Sequence, residues 1–142
     1  MTKKERAEGL ISTLKELGVQ NIATGTHPKT GGEEIVINFG RLPNSNVDNT
    51  QFNYSILDDC FIIFIGPLYK CQGNNLGKAL YVVNQINQQP LGKFYIDDNG
   101  YINMKQMDFY INNSQQLAGE FVKYFQQVLT GDFIKYFKDN LD

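Results

Sequence analysis

Gln51-Phe52-Asn53-Tyr54-Ser55-Ile56-Leu57-Asp58-Asp59-Cys60-Phe61-Ile62-Ile63-Phe64-Ile65 is the stretch on which the fold turns. Its first half alternates strictly. Phe52, Tyr54 and Ile56 face one way, and Gln51, Asn53 and Ser55 the other, the period of two of a half-buried strand. Asp58-Asp59 is a two-residue turn into a second strand, which sets Ile56 opposite Phe61 and Tyr54 opposite Ile63. Cys60, Ile62 and Phe64 then fall on the polar side of their neighbour, so this second strand is apolar on both faces. Either it is a central strand covered on both sides, or the sheet presents a partly open, apolar face to a partner.

A second hairpin lies downstream. Lys93–Ile96 and Tyr101–Met104 flank Asp97-Asp98-Asn99-Gly100. A two-residue Asn99-Gly100 turn would set Ile96 against Asn103. A three-residue loop, Asp98-Asn99-Gly100, sets Ile96 against Ile102 and Phe94 against Met104. The second register keeps apolar residues together and puts Gly100 in the left-handed position of a G1 bulge. Upstream, Glu34–Phe39 is a strand through Ile35, Val36 and Ile37, and Val19–Thr24 a weaker one. Gly25–Gly32 and Gly40–Thr50 read as loops, and Gly66-Pro67 as the end of the Cys60–Ile65 strand.

Helices frame these strands. Thr2 and Glu5 form a capping box, Ala7, Leu10, Ile11, Leu14 and Leu17 recur on one face, and Gly18 suits a left-handed C-terminal stop. A second helix spans about Asn75 to Gln88, with Leu76, Ala79, Leu80, Val83 and Ile86 as its core stripe. Tyr81 projects opposite that stripe and Val82 to its side. A long C-terminal helix, capped at Asn113 or Ser114, carries Leu117, Phe121, Tyr124, Phe125, Val128 and Leu129. Gly131 interrupts it, and Asp132 caps a short final helix with Phe133, Ile134, Phe137 and Leu141. Tight hairpins dictate antiparallel pairing. The expected fold is α+β: an antiparallel sheet of about five strands with helices packed mainly on one face, in a single domain over residues 1–142.

Composition narrows the function. Of 142 residues, 42% are hydrophobic and 20% charged, and the net charge is −2. That is globular, and it lacks the basic stripe that tracks a phosphate backbone, so no nucleic-acid partner is expected. Lys3, Lys4 and Arg6 are diluted by Glu5 and Glu8 and read as a solvated helix face. The longest apolar run, Cys60–Ile65, is too short to span a bilayer, and no apolar leader follows the charged N-terminus. Cys60 and Cys71 form no metal or redox motif. A cytoplasmic protein with reduced thiols and no membrane partner is the expectation.

Candidate chemistry is thin. His27 sits in Gly25-Thr26-His27-Pro28-Lys29-Thr30-Gly31-Gly32, but Lys-Thr precedes the glycines and a strand follows, the reverse of a phosphate-binding loop. Asp97-Asp98-Asn99 lacks the ligand spacing of a calcium loop and suits a turn. Asp58-Asp59 and Glu33-Glu34 are adjacent pairs whose side chains diverge, unlike an acid–base pair facing one cleft. Cys60 reads as a buried, inert thiol. Cys71 in a loop, paired with His27, has no motif behind it. No catalytic, cofactor or metal site is expected.

Val83-Asn84-Gln85-Ile86-Asn87 followed by Gly92-Lys93-Phe94-Tyr95-Ile96-Asp97-Asp98-Asn99-Gly100-Tyr101-Ile102, together with the order of elements, resembles the YbjN family and the wider fold of type III secretion chaperones. The resemblance implies a small dimer-forming domain that binds other proteins without catalysis, and it carries over no catalytic residues. Ten Phe and eight Tyr are more than a small core obviously requires. Tyr81, Val82, Ile62, Phe64 and the tail Phe133–Leu141 are the off-core positions, and aromatics are enriched where partners dock. The leading expectation is a non-catalytic protein-binding module, chaperone-like or regulatory, acting as a homodimer. Tyr81 and Val82 would serve self-association, and Ile62 and Phe64 an unidentified protein partner. The alternatives are a small-molecule-binding protein or cryptic enzyme near the His27 loop, and an inhibitor or immunity-type protein with acidic loops.

Overall fold

In the computed structural model, residues 1–88, 93–111 and 115–142 are described. The chain runs α1 (Lys3–Glu16), β1 (Ile22–Thr26), β2 (Glu33–Asn38), β3 (Gln51–Ile56), β4 (Cys60–Lys70), α2 (Leu76–Ile86), β5 (Lys93–Ile96), β6 (Tyr101–Phe109), α3 (Gln116–Tyr124) and α4 (Asp132–Leu141). The six strands form one open antiparallel sheet in the order β1-β2-β3-β4-β6-β5, and the helices lie on one face of it. The α+β architecture is as expected, with six strands rather than about five.

Both hairpin registers follow from the alternation. Ile56 stands opposite Phe61 and Tyr54 opposite Ile63, while Ile96 meets Ile102 and Phe94 meets Met104. Gly100 takes φ +83° in the three-residue turn, where the Asp97 N–H donates to Tyr101 and the Gly100 N–H to Asp97. The strand after Gly66-Pro67 does not end as expected. β4 continues to Lys70, its ladder with β6 shifting register between Ile65 and Tyr69. β6 likewise runs on to Phe109.

α1 is closed at both ends as read. Thr2 and Glu5 exchange the two bonds of the capping box, and Gly18 at φ +86° lets the Val19 N–H reach the Leu14 carbonyl. Ala7, Leu10 and Leu14 are buried, but Leu17 is exposed past the last turn. Arg6 is not simply solvated: its guanidinium lies 3.6 Å from the centre of the Tyr110 ring.

α2 is rotated from its expected pose. Ala79, Val82, Val83 and Ile86 are buried, while Leu76 and Leu80 are exposed. The Asn87 amide sets this pose, donating to the Phe94 carbonyl at 2.8 Å and accepting the Phe94 N–H at 2.7 Å, so the helix end is tied to β5.

The C-terminal segments complete the core. α3 passes into a π-helical turn (Phe125–Leu129), and Gly131 at φ +90° breaks the helix as expected. Gly131 itself precedes α4, and Asp132 is its first residue rather than its cap. Ile134, Phe137 and Leu141 are buried and Phe133 packs against the core, with both phenylalanine rings on Phe94. Most of the tail's apolar residues are therefore core, while Tyr136 stays exposed and lines a surface groove with Phe133. The expected cap at Asn113 or Ser114 lies outside the described residues.

The Gly40–Thr50 loop is held by side-chain amides and hydroxyls. Asn46 exchanges two bonds with the Lys70 backbone, Ser45 donates to the Leu68 carbonyl, and Thr50 to that of Pro67. These groups pair the end of β4 that extends beyond β3, as a strand would.

Candidate functional site

The helix-bearing face takes Ile35, Ile37, Phe52, Tyr54, Ile56, Phe61, Ile63, Ile65 and Met104, all buried. On the other face the registers align Phe64 between Asn53 and Lys105, Ile62 between Ser55 and Met107, and Cys60 beside Phe109. No described helix packs there. Ile62 and Phe64 are half-buried by their strand neighbours alone, and Met107 and Phe109 are 56% and 63% exposed. The apolar second face of β4 is thus the open face, and β6 extends it. Cys60, expected to be buried, is half-exposed on this face.

Gly66 leaves room for Asn103 and Phe64 to close over the backbone. A Cβ there would stand 2.2 Å from the Asn103 side-chain oxygen and 3.0 Å from the tip of the Phe64 ring. Asn103 in turn donates to Asp97 Oδ2 at 3.0 Å. Burial works against the charged form of Asp97. Hydrogen bonds from Asn103, Tyr101 and Asn99, with Lys70 nearby, outweigh it and hold the carboxyl below its usual range.

Charge is distributed unevenly across the face. Lys105 and Lys93 are directly opposite on β6 and β5, a like-charged pair with no anion between them among the described bonds. On the far side of β4, Glu34 accepts the Ser55 hydroxyl at 3.0 Å. Between them, the buried Asn53 Oδ1 has no hydrogen-bond partner.

The four residues expected to bind protein therefore separate. Ile62 and Phe64 share the open face. Tyr81 is 65% exposed but on α2, in the helix layer. Val82 is 3% exposed and packs in the core, so it is not available to a second molecule. Met107 and Phe109 were missed. Their signal is in β6, whose alternation inverts: Ile102 and Met104 face the helices, whereas Met107 and Phe109 have the opposite parity.

The polar candidates resolve into structural roles. His27 Nδ1 accepts the backbone N–H groups of Lys29 and Thr30, both at 3.2 Å, closing its own turn. Cys71 is 5% exposed rather than in an open loop, and burial pushes its thiol pKa up, which disfavours the reactive thiolate. His27 and Cys71 lie beyond opposite ends of the sheet, on the order of 30 Å apart at the rise of a strand, too far to pair. Asp97 spends both carboxylate oxygens on its turn. Among the described residues no group of three or more His, Cys, Asp and Glu could hold a metal, and no helix is long and apolar enough to cross a membrane.

An aromatic groove opens elsewhere. It encloses about 500 Å³ between the end of α1 and α3, lined by Leu17, Val19, Phe39, Phe121, Val122 and Phe125. Phe39 stacks on Phe121 at 6.3 Å, and Phe125 closes the trio. Neither this groove nor those beside Phe133 and beside the β5–β6 turn are lined by His27. No protein-family model matches the chain, and no curated protein sequence matches it.

Proposed function

We propose that the protein is a non-catalytic protein-binding module, chaperone-like or regulatory, that acts in the cytoplasm, forms a homodimer, and uses the open face of its sheet to dock protein, either its own copy or a competing partner. One observation carries this reading: β4 and β6 present Ile62, Phe64, Met107 and Phe109 on a face that no described helix covers. A contiguous apolar patch on an otherwise ordinary surface marks an interaction site. The likeness of Val83–Ile102 to the YbjN and secretion-chaperone pattern points the same way, as do the structural roles of His27, Cys71 and Asp97.

The test is affinity capture from the native host with the wild-type chain and Phe64→Glu in parallel. One dominant partner, lost with Phe64→Glu, is the expected result. A partner retained equally by both removes the open face from the reading. Recovery of the bait alone turns attention to the aromatic groove, whose volume and Phe39-Phe121-Phe125 lining favour a small apolar ligand as the second reading. Native mass spectrometry would then show a small bound mass that is lost with Val122→Glu.

A further inference from the structure

We infer that the occupant of the open face is a second copy of this chain, related by a twofold axis that runs along β4 midway between two face-to-face sheets. The inference rests on the reading of that face as a protein-docking surface and names its partner. β4 is two strands from β2 on one side and two strands from β5 on the other. Rotation about a β4 axis keeps each residue at its height along the strand and exchanges the sides. The partner's β6 then lies over β3, and its β5 over β2.

The rows of the sheet decide what meets what. One row reads Val36, Asn53, Phe64, Lys105, Lys93 from β2 to β5. Ile62 and Phe64, on the axis strand, pack against their own copies. Lys105 comes over Asn53, whose buried Oδ1 has no hydrogen-bond partner. Lys93 comes over Val36, with Glu34 one pleat away, about 7 Å along β2. Sheets pack about 10 Å apart, a gap that lysine side chains extended from one sheet can bridge. The same operation covers the apolar strip, brings Lys93 within reach of Glu34, and sets Lys105 over the Asn53 amide, whose buried Oδ1 a turn of the side chain would present to it. Such self-complementarity is what an isologous interface requires.

The area fits a modest dimer. Five strands overlap, β1 overhanging at each end; about 4.8 Å apart and about 18 Å long, they remove roughly 900 Å² from the two partners together, in the range of weak, transient association. The dimer is therefore expected to form in the micromolar range, and a heterologous partner for this face competes with it.

Sedimentation velocity from about 1 to about 200 µM reads the equilibrium directly. The wild type is expected to pass from monomer to dimer in that window. Phe64→Glu and the surface change Lys105→Glu should each weaken dimerisation at least tenfold. Glu34→Lys and Lys93→Glu should each weaken it, and the double variant Glu34→Lys/Lys93→Glu should recover affinity to within about threefold of wild type, because the pair is exchanged across the axis. Circular dichroism confirms that each variant is folded, and Lys105→Glu and the charge exchange stand if Phe64→Glu is not. A wild-type monomer at about 200 µM, or a dimer indifferent to Lys105→Glu and to the charge exchange, overturns the proposal. A monomer that still loses a captured partner with Phe64→Glu would overturn self-association alone and leave the docking face intact.

Discussion

Replacing Gly66 with alanine adds one methyl group and should cost far more than a methyl group. The new Cβ would sit 2.2 Å from the Asn103 side-chain oxygen and 3.0 Å from the Phe64 ring tip. The ring tip can swing away, but the amide is almost sealed in and is held by its bond to Asp97. Overpacking costs about 1–3 kcal/mol, and a hydrogen bond to a charged group about 1.5–3 kcal/mol. Asp97 is partly exposed, which argues for the low end of the second figure. Alanine also restricts the unfolded chain, returning about 0.5–1 kcal/mol. The net expectation is about 2–4 kcal/mol, or roughly 10 °C in melting temperature for a chain of this size. Urea denaturation of Gly66→Ala, Asn103→Ala and the double variant measures it. With the amide gone the Cβ has room, so the two changes should be non-additive by about 1.5–3 kcal/mol. A cost below about 0.5 kcal/mol for Gly66→Ala, or additivity within about 0.5 kcal/mol, would refute the close-approach argument.

Other expectations follow from the same packing. Asn87→Ala should destabilise by about 1–3 kcal/mol, since it leaves both backbone groups of Phe94 without their partner, and denaturant titration reads the loss. Val82→Ala should cost about 2 kcal/mol while Tyr81→Ala stays within about 0.5 kcal/mol; equal effects would mean that α2 presents its other face. Alkaline unfolding should be carried by tyrosines. Burial raises Tyr110 to about 12 despite Arg6 beside it, and burial with Glu120 and Asp108 raises Tyr124 to about 12. Below the unfolded tyrosine value near 10 both are neutral in either state and their contribution is whole. It is lost as pH rises through about 12, where the unfolded chain ionises first. Tyrosinate absorbance should therefore arrive partly with the loss of circular dichroism, and full ionisation of a still-folded chain would contradict this.

The parts of the fold that were legible in the sequence obey short-range rules. Ile56 against Phe61 and Ile96 against Ile102 follow from a period of two and a turn length. The capping box of Thr2 and Glu5 and the stop at Gly18 follow from backbone donors near in sequence. What escaped was decided at long range. Leu76 and Leu80 are as apolar as Val82, so several faces of α2 are hydrophobic, and the amide of Asn87 on β5 selects one of them. The Phe133 and Phe137 rings looked superfluous because nothing nearby in sequence announces that Phe94 needs a cover. Asn46 and Ser45 read as loop polarity, yet they pair the backbone of residues 68–70. Gly66-Pro67 carries the chemistry of a terminator, yet the strand resumes beyond it, paired by β6 after a register shift and by the side chains of the Gly40–Thr50 loop. For the candidate site, the apolar double face of β4 was visible at Ile62 and Phe64. Which of its two faces stays open depends on where four helices land, and strand alternation does not encode that.

Gly131 has a consequence for the order in which the protein is made. Its Cα is so close to Pro43 that a Cβ would fall 2.6 Å from the Pro43 carbonyl oxygen, and the Asn44 amide donates to the Gly131 carbonyl at 3.2 Å. The β2–β3 loop and the start of α4 are thus a latch joining segments 87 residues apart. During synthesis, at about 5–20 residues per second, the sheet exists for some time before α4 does. Throughout that interval Phe94 lacks the rings of Phe133 and Phe137, and the loop, held by β4, lacks its bond to Gly131. The nascent chain therefore carries two bare apolar surfaces, one on each side of the sheet, and only the one beneath α4 is closed by its own translation.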